Sequence, residues 1–551
     1  MKVDVLALGM LSALRRSLEL RAQWRGDPWT LADIPPEDPA TYDMICAADT
    51  VGVFQIESRA QMSMLPRLKP RKFYDLVVEV AIVRPGPIQG GMVHPYLKRR
   101  MNPSLVSYPS EALREALGRT LGVPIFQEQV MQVAILAAGF SPGEADRLRR
   151  SMAAWKHQGD VSIFYERLVG GMVARGYERD FAENIFKQIQ GFGEYGFPES
   201  HAASFALLAY SSSWMKCHEP GCFLAAMLNA QPMGFYTPSQ LIQDAVRHGI
   251  EVLPVDVTLS EVDCTLDAPG SDDDEAPAPA GQSSGAGAGG SRQEDGDVAN
   301  GRCRVSGRGT TLQPKVRLGL RMVGGLTGKG AARIVAVRKD AAFTGVEDLA
   351  LRAGLDLKDM NALAAADALS SLAGHRRQQA WAAAASRLAP PLLKDAPVNE
   401  APLHLAPASE GEDIVFDYAA TGLTLRRHPI ALLRPRLEKM QLLAAQQLRN
   451  LPHDTPVRAC GIVNMRQRPP TAKGTMFITL EDETGTVNLI IWEHVLNAQR
   501  EAFLKSRLLA VDGVWQRDVD SGGRVRHLIV SQCQDLSPLL GRLSQSSRDF
   551  R

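Results

Sequence analysis

Residues 191–220 read GFGEYGFPESHAASFALLAYSSSWMKCHEP, and they combine two features that suit a nucleotide. Glycines alternate with Phe192, Tyr195 and Phe197, and glycine beside an aromatic lets a backbone approach a flat ring closely. Pro198 then restricts the chain, Ser200 is placed to cap, and a helix-compatible run continues to Pro220. A helix N-terminus at that point offers backbone N–H groups to an anion. A flat base joined to phosphate needs both features. The alternative is a glycine-rich turn whose aromatics plug the core.

Cations that suit phosphate lie upstream. Arg84 precedes Pro-Gly-Pro, which biases its backbone toward extended geometry, and an arginine on a rigid loop suits bidentate phosphate recognition as well as an ordinary surface turn. Arg147, Arg149, Arg150 and Lys156 fall within ten positions, on and just past one helix, where they could line a triphosphate or template path. In the helix after Pro198, His201, Ser204, Leu208 and Ser211 share a face, a small polar surface compatible with a nucleotide slot or with a structural histidine. Near the start, Asp4 lies between Val3 and Val5, which suggests a strand end carrying one carboxylate.

The elements that must position these groups are mostly helical. Residues 6–20 look helical, and residues 127–138 place Val130, Val133, Ala134 and Ala137 at helical spacing. Ser141 with Glu144 three positions on forms a capping box for the arginine-bearing helix. Lys98, Arg99 and Arg100 read as a solvated charge run. At 551 residues the chain is too long for one core. It is 45% hydrophobic and 22% charged with a net charge of +1, so global charge does not announce a nucleic-acid binder and local clusters must carry that argument. Seven cysteines without a CxxC pair fit a reducing cytoplasm, and Cys217 and Cys222 beside His218 read as buried thiols rather than a zinc shell. No signal peptide and no long apolar span is legible.

Residues 267–301 are acidic, rich in Gly, Ala and Pro and without periodicity, the composition of a disordered linker. After them, Gly328, Lys329 and Gly330 suggest the hairpin of a helix–hairpin–helix, with Arg333 on the following helix; such a hairpin presents backbone N–H groups to one duplex phosphate. A weaker second copy is placed at residues 361–372, and an ordinary helical hairpin is the alternative. Residues 455–540 then alternate as short strands with turns at 482–485 and 521–523, the pattern of a small barrel. Arg466, Arg468 and Lys473 near Phe477 and Trp492 fit an oligonucleotide-binding surface, and equally an interaction module with buried aromatics. The fold class expected is therefore multidomain and mainly α, followed by a small β-barrel of oligonucleotide-binding type.

Taken in order, FQIESR, VRPGPIQGGMV, FQEQVMQ, ADRLRRSM, GFGEYGFPESHAASFALLAY and the terminal barrel resemble the bacterial C-family replicases, the DNA polymerase III alpha subunits. LGLRMVGGL, TGLTLRRHP and RQRPPTAKGTMFITLEDETG resemble the error-prone branch used in damage-induced mutagenesis and repair. The resemblance covers nearly the whole chain apart from the acidic linker and, with the composition, gives the division expected: the end of a palm at 1–20, fingers at 21–258, an acidic linker at 259–314, a helix–hairpin–helix region at 315–375, a helical connector at 376–454, the barrel at 455–540 and a tail at 541–551. It makes Asp4 the candidate catalytic metal ligand, the third palm carboxylate, with the family's paired aspartates and phosphoesterase-like domain absent from this sequence. Arg84, Arg149, Arg150, Lys156, His201 and Ser204 become candidates for holding the incoming deoxynucleoside triphosphate. Where the replicative branch has Gly-Lys-Lys, residues 153–156 read Ala-Ala-Trp-Lys, which departs from the family's basic contact.

By the same resemblance, Gly328, Lys329, Gly330 and Arg333 would grip primer-template duplex, and Arg466, Lys473, Phe477 and Trp492 would meet single-stranded template. Two Mg2+ ions, about 4 Å apart, would drive nucleotidyl transfer. One aspartate cannot hold such a pair, so this chain alone is expected to bind DNA without extending it. Recruitment to the sliding clamp through an accessory mutagenesis protein is a further expectation, because no clamp peptide is legible. The other class of function is a non-catalytic DNA-binding remnant or accessory subunit.

Overall fold

The computed structural model describes residues 8–152, 161–191, 197–268, 312–385, 403–469, 472, 474–543 and 547–550. Asp4, Lys156, Lys473, the aromatics Phe192 and Tyr195, and most of the acidic stretch lie outside the described residues.

Helices build the first half: α1 (Leu8–Arg25), α2 (Pro39–Cys46), α3 (Arg59–Leu68), α4 (Phe73–Ile82), α5 (Pro85–Gln89), α6 (Val93–Met101), α7 (Glu111–Leu117) and α8 (Gln127–Leu136). They continue with α9 (Pro142–Met152), α10 (Val161–Val173), α11 (Arg179–Gly191), α12 (Glu199–His218), α13 (Pro220–Asn229) and α14 (Pro238–Arg247). The centre of this half is α12 against α4. From Asp75 to Ile82 every residue of α4 is buried, and α12 is buried through its C-terminal half from Ala209 to Lys216. Burying two helices this completely removes a large apolar area from water and makes them the fixed frame of the half. Pro220, which ends α12 as its sequence suggests, opens α13 at the first helical position.

α1 runs through the boundary expected at residue 20 and packs on α13. Arg21 and Arg25 reach Glu219, which is 5% exposed at the turn between α12 and α13, at 3.5 and 3.1 Å. In the run at 98–100, Lys98 is exposed as expected, but the two arginines are structural rather than solvated. Arg99 donates to the Leu121 carbonyl at 2.7 Å, and Arg100 forks onto the buried Asp75 at 2.6 and 2.7 Å. Charge at the end of an amphipathic helix is read as solvent-facing until the acid it serves is known.

A three-stranded sheet joins the halves: β1 (Val252–Leu253), β2 (Thr265–Asp267) and β3 (Lys315–Arg317), with β3 central, parallel to β1 and antiparallel to β2. Residues 259–268, expected in the linker, therefore include β2, and β3 begins directly after the linker's expected end at 314. Next come α15 (Gly328–Arg338), α16 (Val346–Ala353), α17 (Leu357–Ala365), α18 (Ser370–Ala373) and α19 (Arg376–Ala385). Then α20 (Glu410–Ala420), α21 (Pro429–Lys439) and α22 (Ala445–Arg449) lead to the barrel.

The barrel contains β4 (Thr455–Gln467), β5 (Met476–Asp482), β6 (Gly485–Ile491), β7 (Leu508–Arg517) and β8 (Arg526–Asp535), with α23 (Glu493–Ala498) and α24 (Arg500–Lys505) between its third and fourth strands. The order β4-β5-β6-β8-β7 closes back on β4, and the one parallel pair is β6 with β8, which is the connectivity of an oligonucleotide-binding barrel. The short β9 (Arg548–Phe550) lies parallel to the end of β4. Asp482 closes the β5–β6 turn by accepting from the Thr484 and Gly485 amides at 2.8 and 3.0 Å. One face of β4 supplies the barrel interior. Its other face, through Cys460 and Ile462, packs with Ile414 and Tyr418 of α20 and Ile430 and Leu437 of α21. No helix among the described residues is long and apolar enough to cross a membrane.

Candidate functional site

Three of the motifs meet in one place. The loop between α2 and α3 carries Phe54 and Gln55, the turn into α5 carries Arg84, and the start of α12 carries Phe197, His201 and Phe205. Arg84 has φ −119° and ψ 156°, the extended geometry imposed by the proline after it. Its Nη2 donates to Gln55 Oε1 at 2.8 Å and its Nε to the Val80 carbonyl at 3.2 Å, one of the carbonyls left open at the end of α4. The guanidinium lies over the Phe197 ring, 4.7 Å from its centroid. His201 is half-buried between Phe197 and Phe205, at 4.9 and 4.2 Å between ring centroids, and Phe54 meets Phe205 edge-on at 5.3 Å. The result is an arginine on an aromatic floor beside a histidine. A guanidinium held in this way can take a phosphate through its planar fork.

The helix start differs from expectation. The residue capping α12 is Pro198, whose side chain makes no capping hydrogen bond, and Ser200 lies inside the first turn. The anion at this N-terminus is a protein carboxylate: Glu128 of α8 accepts from the Glu199 amide at 3.0 Å. Ser204 is exposed, and its hydroxyl donates back to the Ser200 carbonyl at 3.0 Å. Phe197 is 1% exposed, so this ring does plug the core, while its face carries Arg84. Glycine is needed on the other side of the turn. A Cβ on Gly191 would sit 2.6 Å from the Gly86 carbonyl, so the end of α11 meets α5 backbone to backbone.

Arg149 and Arg150 sit in the last turns of α9, whose first turn has the Ser141–Glu144 capping box. Both are held by one acid. Asp146 receives Arg149 at 2.8 Å and Arg150 at 2.5 Å, and these pairs keep its carboxyl below the ordinary range. Arg150 remains largely solvent-exposed, so an anion competes only with a surface pair.

Gly328, Lys329 and Gly330 form the first turn of α15 rather than the hairpin, which is the preceding turn around Gly324 and Gly325. Thr327 caps the helix by accepting from the Gly330 amide at 3.0 Å, and Asp359 of α17 accepts from the Thr327 amide at 2.9 Å. Lys329 is exposed on this first turn. Arg333 donates to the Ala353 and Gly354 carbonyls at 2.6 and 2.9 Å, closing the end of α16. The weaker copy at 361–372 spans the end of α17 and α18.

On the barrel, Arg466 is 7% exposed and directed inward. Its Nε donates to the Phe503 carbonyl at 2.7 Å, and its other nitrogens reach Ser506 and Ser547. It is a structural arginine, which corrects its assignment to DNA. Phe477 is half-buried under Arg59 of α3, 5.0 Å from its ring centroid, so its face meets the helical half. Trp492 is 45% exposed, as a base-stacking residue must be, and Arg468 pairs with Glu493 beside it at 3.3 Å.

Two features escaped sequence reasoning. One is Gln55, whose role needs the fold to bring Arg84 alongside. The other is the cluster of Asp49, Asp244 and His248, with ligand atoms within 4.8 Å of one another. Lys216 supplies its cation: Nζ lies 2.8 Å from Asp244 and 3.2 Å from Asp49, and His248 Nε2 lies 2.5 Å from Asp49. Burial opposes the charge on Asp49, but Lys216 and His248 outweigh it and hold that carboxyl well below its usual range. Burial likewise opposes the charges on Lys216 and His248, and the two acids raise both. A resident ammonium leaves no place for Mg2+, so this cluster does not fit a two-metal centre. Near it, His218 pairs with Asp38 at 2.8 Å, and Cys222 is buried with its thiol pushed up to about 12, which suits a packed thiol and not a zinc ligand.

Comparison with known proteins agrees with this architecture. Residues 10–176 match the bacterial DNA polymerase III alpha subunit finger domain, and residues 249–379 match a helix-hairpin-helix motif. The whole chain is 56% identical to the error-prone DNA polymerase of Bordetella bronchiseptica, 55% to that of Burkholderia pseudomallei and 52% to that of Methylococcus capsulatus. It covers 49%, 49% and 50% of those proteins, so the chain spans about half the length of the curated relatives it matches. The chain is therefore similar over its whole length to proteins named error-prone DNA polymerase, and its first part is similar to the finger domain of the bacterial DNA polymerase III alpha subunit.

Proposed function

We propose that this chain supplies the nucleotide- and DNA-binding parts of an error-prone, DNA-directed DNA polymerase acting in repair or translesion synthesis in the cytoplasm. The observation that carries the proposal is the convergence of Arg84, Phe197 and His201, in a chain similar throughout to proteins named error-prone DNA polymerase. Arg84 takes phosphate oxygens of the incoming deoxynucleoside triphosphate, and the aromatic floor keeps its guanidinium in one plane. His201 and Ser204 lie along the same end of α12, and Arg149, Arg150 and Lys156 are the further cations assigned to the triphosphate. Lys329, on the first turn of α15, meets the phosphates of the primer-template duplex together with the backbone of Gly328 and Gly330. Trp492 offers a stacking face to single-stranded template. Arg333 and Phe477 act one step removed, by holding α16 and the barrel in place.

Two Mg2+ ions, when bound, would activate the primer 3′-hydroxyl and stabilise the leaving pyrophosphate. Asp4 is this chain's candidate ligand for them. Since one carboxylate does not hold a dicationic pair, the 551-residue chain binds DNA and triphosphate without extending a primer. Recruitment to the sliding clamp runs through an accessory mutagenesis protein. Primer extension by the purified chain, abolished in Asp4→Asn, would overturn the assignment of inactivity. Loss of triphosphate binding in Arg84→Ala, with DNA binding retained, supports the assignment of the site.

A further inference from the structure

Gln55 has a left-handed backbone, with φ +62°, in the turn between α2 and α3. For a residue with a γ-branch-free but long side chain this conformation costs free energy, and it persists only where neighbours over-determine it. They do so here on both sides. The Phe54 amide donates to Ser212 Oγ at 3.2 Å, and the Phe54 ring is wedged against Phe205. On the far side, Thr50 Oγ1 donates to the Ile56 carbonyl at 2.6 Å, and Ile56 is wholly buried. Glycine would take this φ without strain, as Gly52 does at +77° in the same turn, and asparagine would take it more readily than glutamine.

What glutamine adds is reach. Its Oε1 accepts from Arg84 Nη2 at 2.8 Å, and because arginine only donates, the amide orientation follows from the pairing. With the Val80 carbonyl on Nε, the two acceptors fix the guanidinium plane above Phe197. A neutral acceptor does this without cancelling the arginine's charge, whereas a carboxylate in the same position would pair with it and compete with phosphate.

We propose that Gln55 is a positioning residue for Arg84: the strained turn aims a neutral amide oxygen that holds the guanidinium in the plane that receives the triphosphate. The inference rests on the assignment of Arg84 to the incoming nucleotide. The cost is stored in the α2–α3 turn and its return is pre-organisation of the arginine.

The test compares Gln55→Gly, which relieves the backbone and removes the side chain with its acceptor, with Gln55→Met, which keeps length and the backbone strain and removes the amide. Each is made alone and with Arg84→Ala in the 551-residue chain. Equilibrium binding of Mg2+–dATP, in the presence of primer-template DNA, is the readout beside thermal melting. The expected result is a loss of about tenfold in dATP affinity for both variants. Gln55→Gly should melt at or above the unaltered chain, and neither variant should add to Arg84→Ala. A merely structural Gln55 predicts lower melting in Gln55→Met and unchanged affinity. If Arg84→Ala weakens dATP but the Gln55 variants do not, the positioning role is wrong and the nucleotide site stands. If Arg84→Ala leaves dATP binding unchanged, or the unaltered chain binds none, the nucleotide assignment fails and the positioning role fails with it.

Discussion

Arg59, the first residue of α3, is half-buried against the barrel, where its guanidinium lies over Phe477 and donates to the Ile478 and Leu489 carbonyls at 3.3 and 2.9 Å. Among the described residues no acid pairs with it. Burial pulls its pKa down to about 9, so it is still charged at neutral pH. Arg67 on the same helix forks onto Asp518 at 3.0 and 3.1 Å, and Arg524 of the barrel reaches the Cys46 carbonyl at 3.3 Å. Arg59→Ala should therefore loosen the barrel from the helical half, at a cost of about 1–3 kcal/mol. Hydrogen exchange should rise in β5, β6 and α3 together, and exchange confined to α3 would count against a shared contact.

Glu79 on α4 is 0% exposed, and among the described residues neither of its carboxyl oxygens has a hydrogen-bond partner. Burial raises its pKa well above the ordinary carboxyl value, which favours the protonated form in the folded chain. A folded pKa above the unfolded one gives a contribution that is fully present below about 4.5. It is lost as pH rises toward the folded value. Glu79→Gln should remove that loss and raise stability near pH 7 by roughly 1–3 kcal/mol. Melting curves from pH 5 to pH 8 check it, and a variant with an unchanged pH slope would exclude Glu79 as the source.

The Lys216 cluster gives signs that differ by residue. Lys216→Met leaves Asp49 and Asp244 facing each other without their shared cation and should cost about 3–5 kcal/mol. His248 has a raised pKa, so its contribution is fully present below its unfolded value near 6.5 and fades as pH rises through the folded value. Asp49 has a lowered pKa, so its contribution is present above its unfolded value and fades as the solution is acidified through the folded value. In His248→Gln the alkaline decline in melting temperature should flatten while the acid decline remains.

On the barrel, exposure separates binding from structure. Trp492→Ala should lose about 1–3 kcal/mol of single-stranded DNA affinity with little change in melting. Arg466→Ala should destabilise the barrel by at least about 2 kcal/mol, because three backbone or hydroxyl acceptors lose a buried charged donor. DNA titrations run beside melts distinguish the two. An Arg466→Ala chain that melts normally but fails to bind would restore that arginine to the interface.

Much of this was legible from local rules. The Ser141–Glu144 capping box, the stop at Pro220, the extended backbone of Arg84 and the alternation of Val487, Leu489 and Ile491 each follow from a few neighbouring residues. Alternation failed at Arg466 because a register shift between Val463 and Met465 turns the rest of β4 over, so the arginine points inward. The Glu128 cap on α12 and the Gln55–Arg84 pair were hidden because their partners are 71 and 29 residues apart. Lys216 reads as an ordinary helix-terminal cation until the fold brings Asp49 and Asp244 to it.

The covering of β4 by α20 and α21 bears on how the chain can be divided. A piece cut at Thr455 would bare Cys460, Ile462, Leu508 and Ala510 to water as one apolar strip and should self-associate. A piece begun at Leu403 carries its own cover and should be monomeric. The heritable unit, the stretch that recombination or gene fission can move intact, is therefore the barrel together with the helices before it.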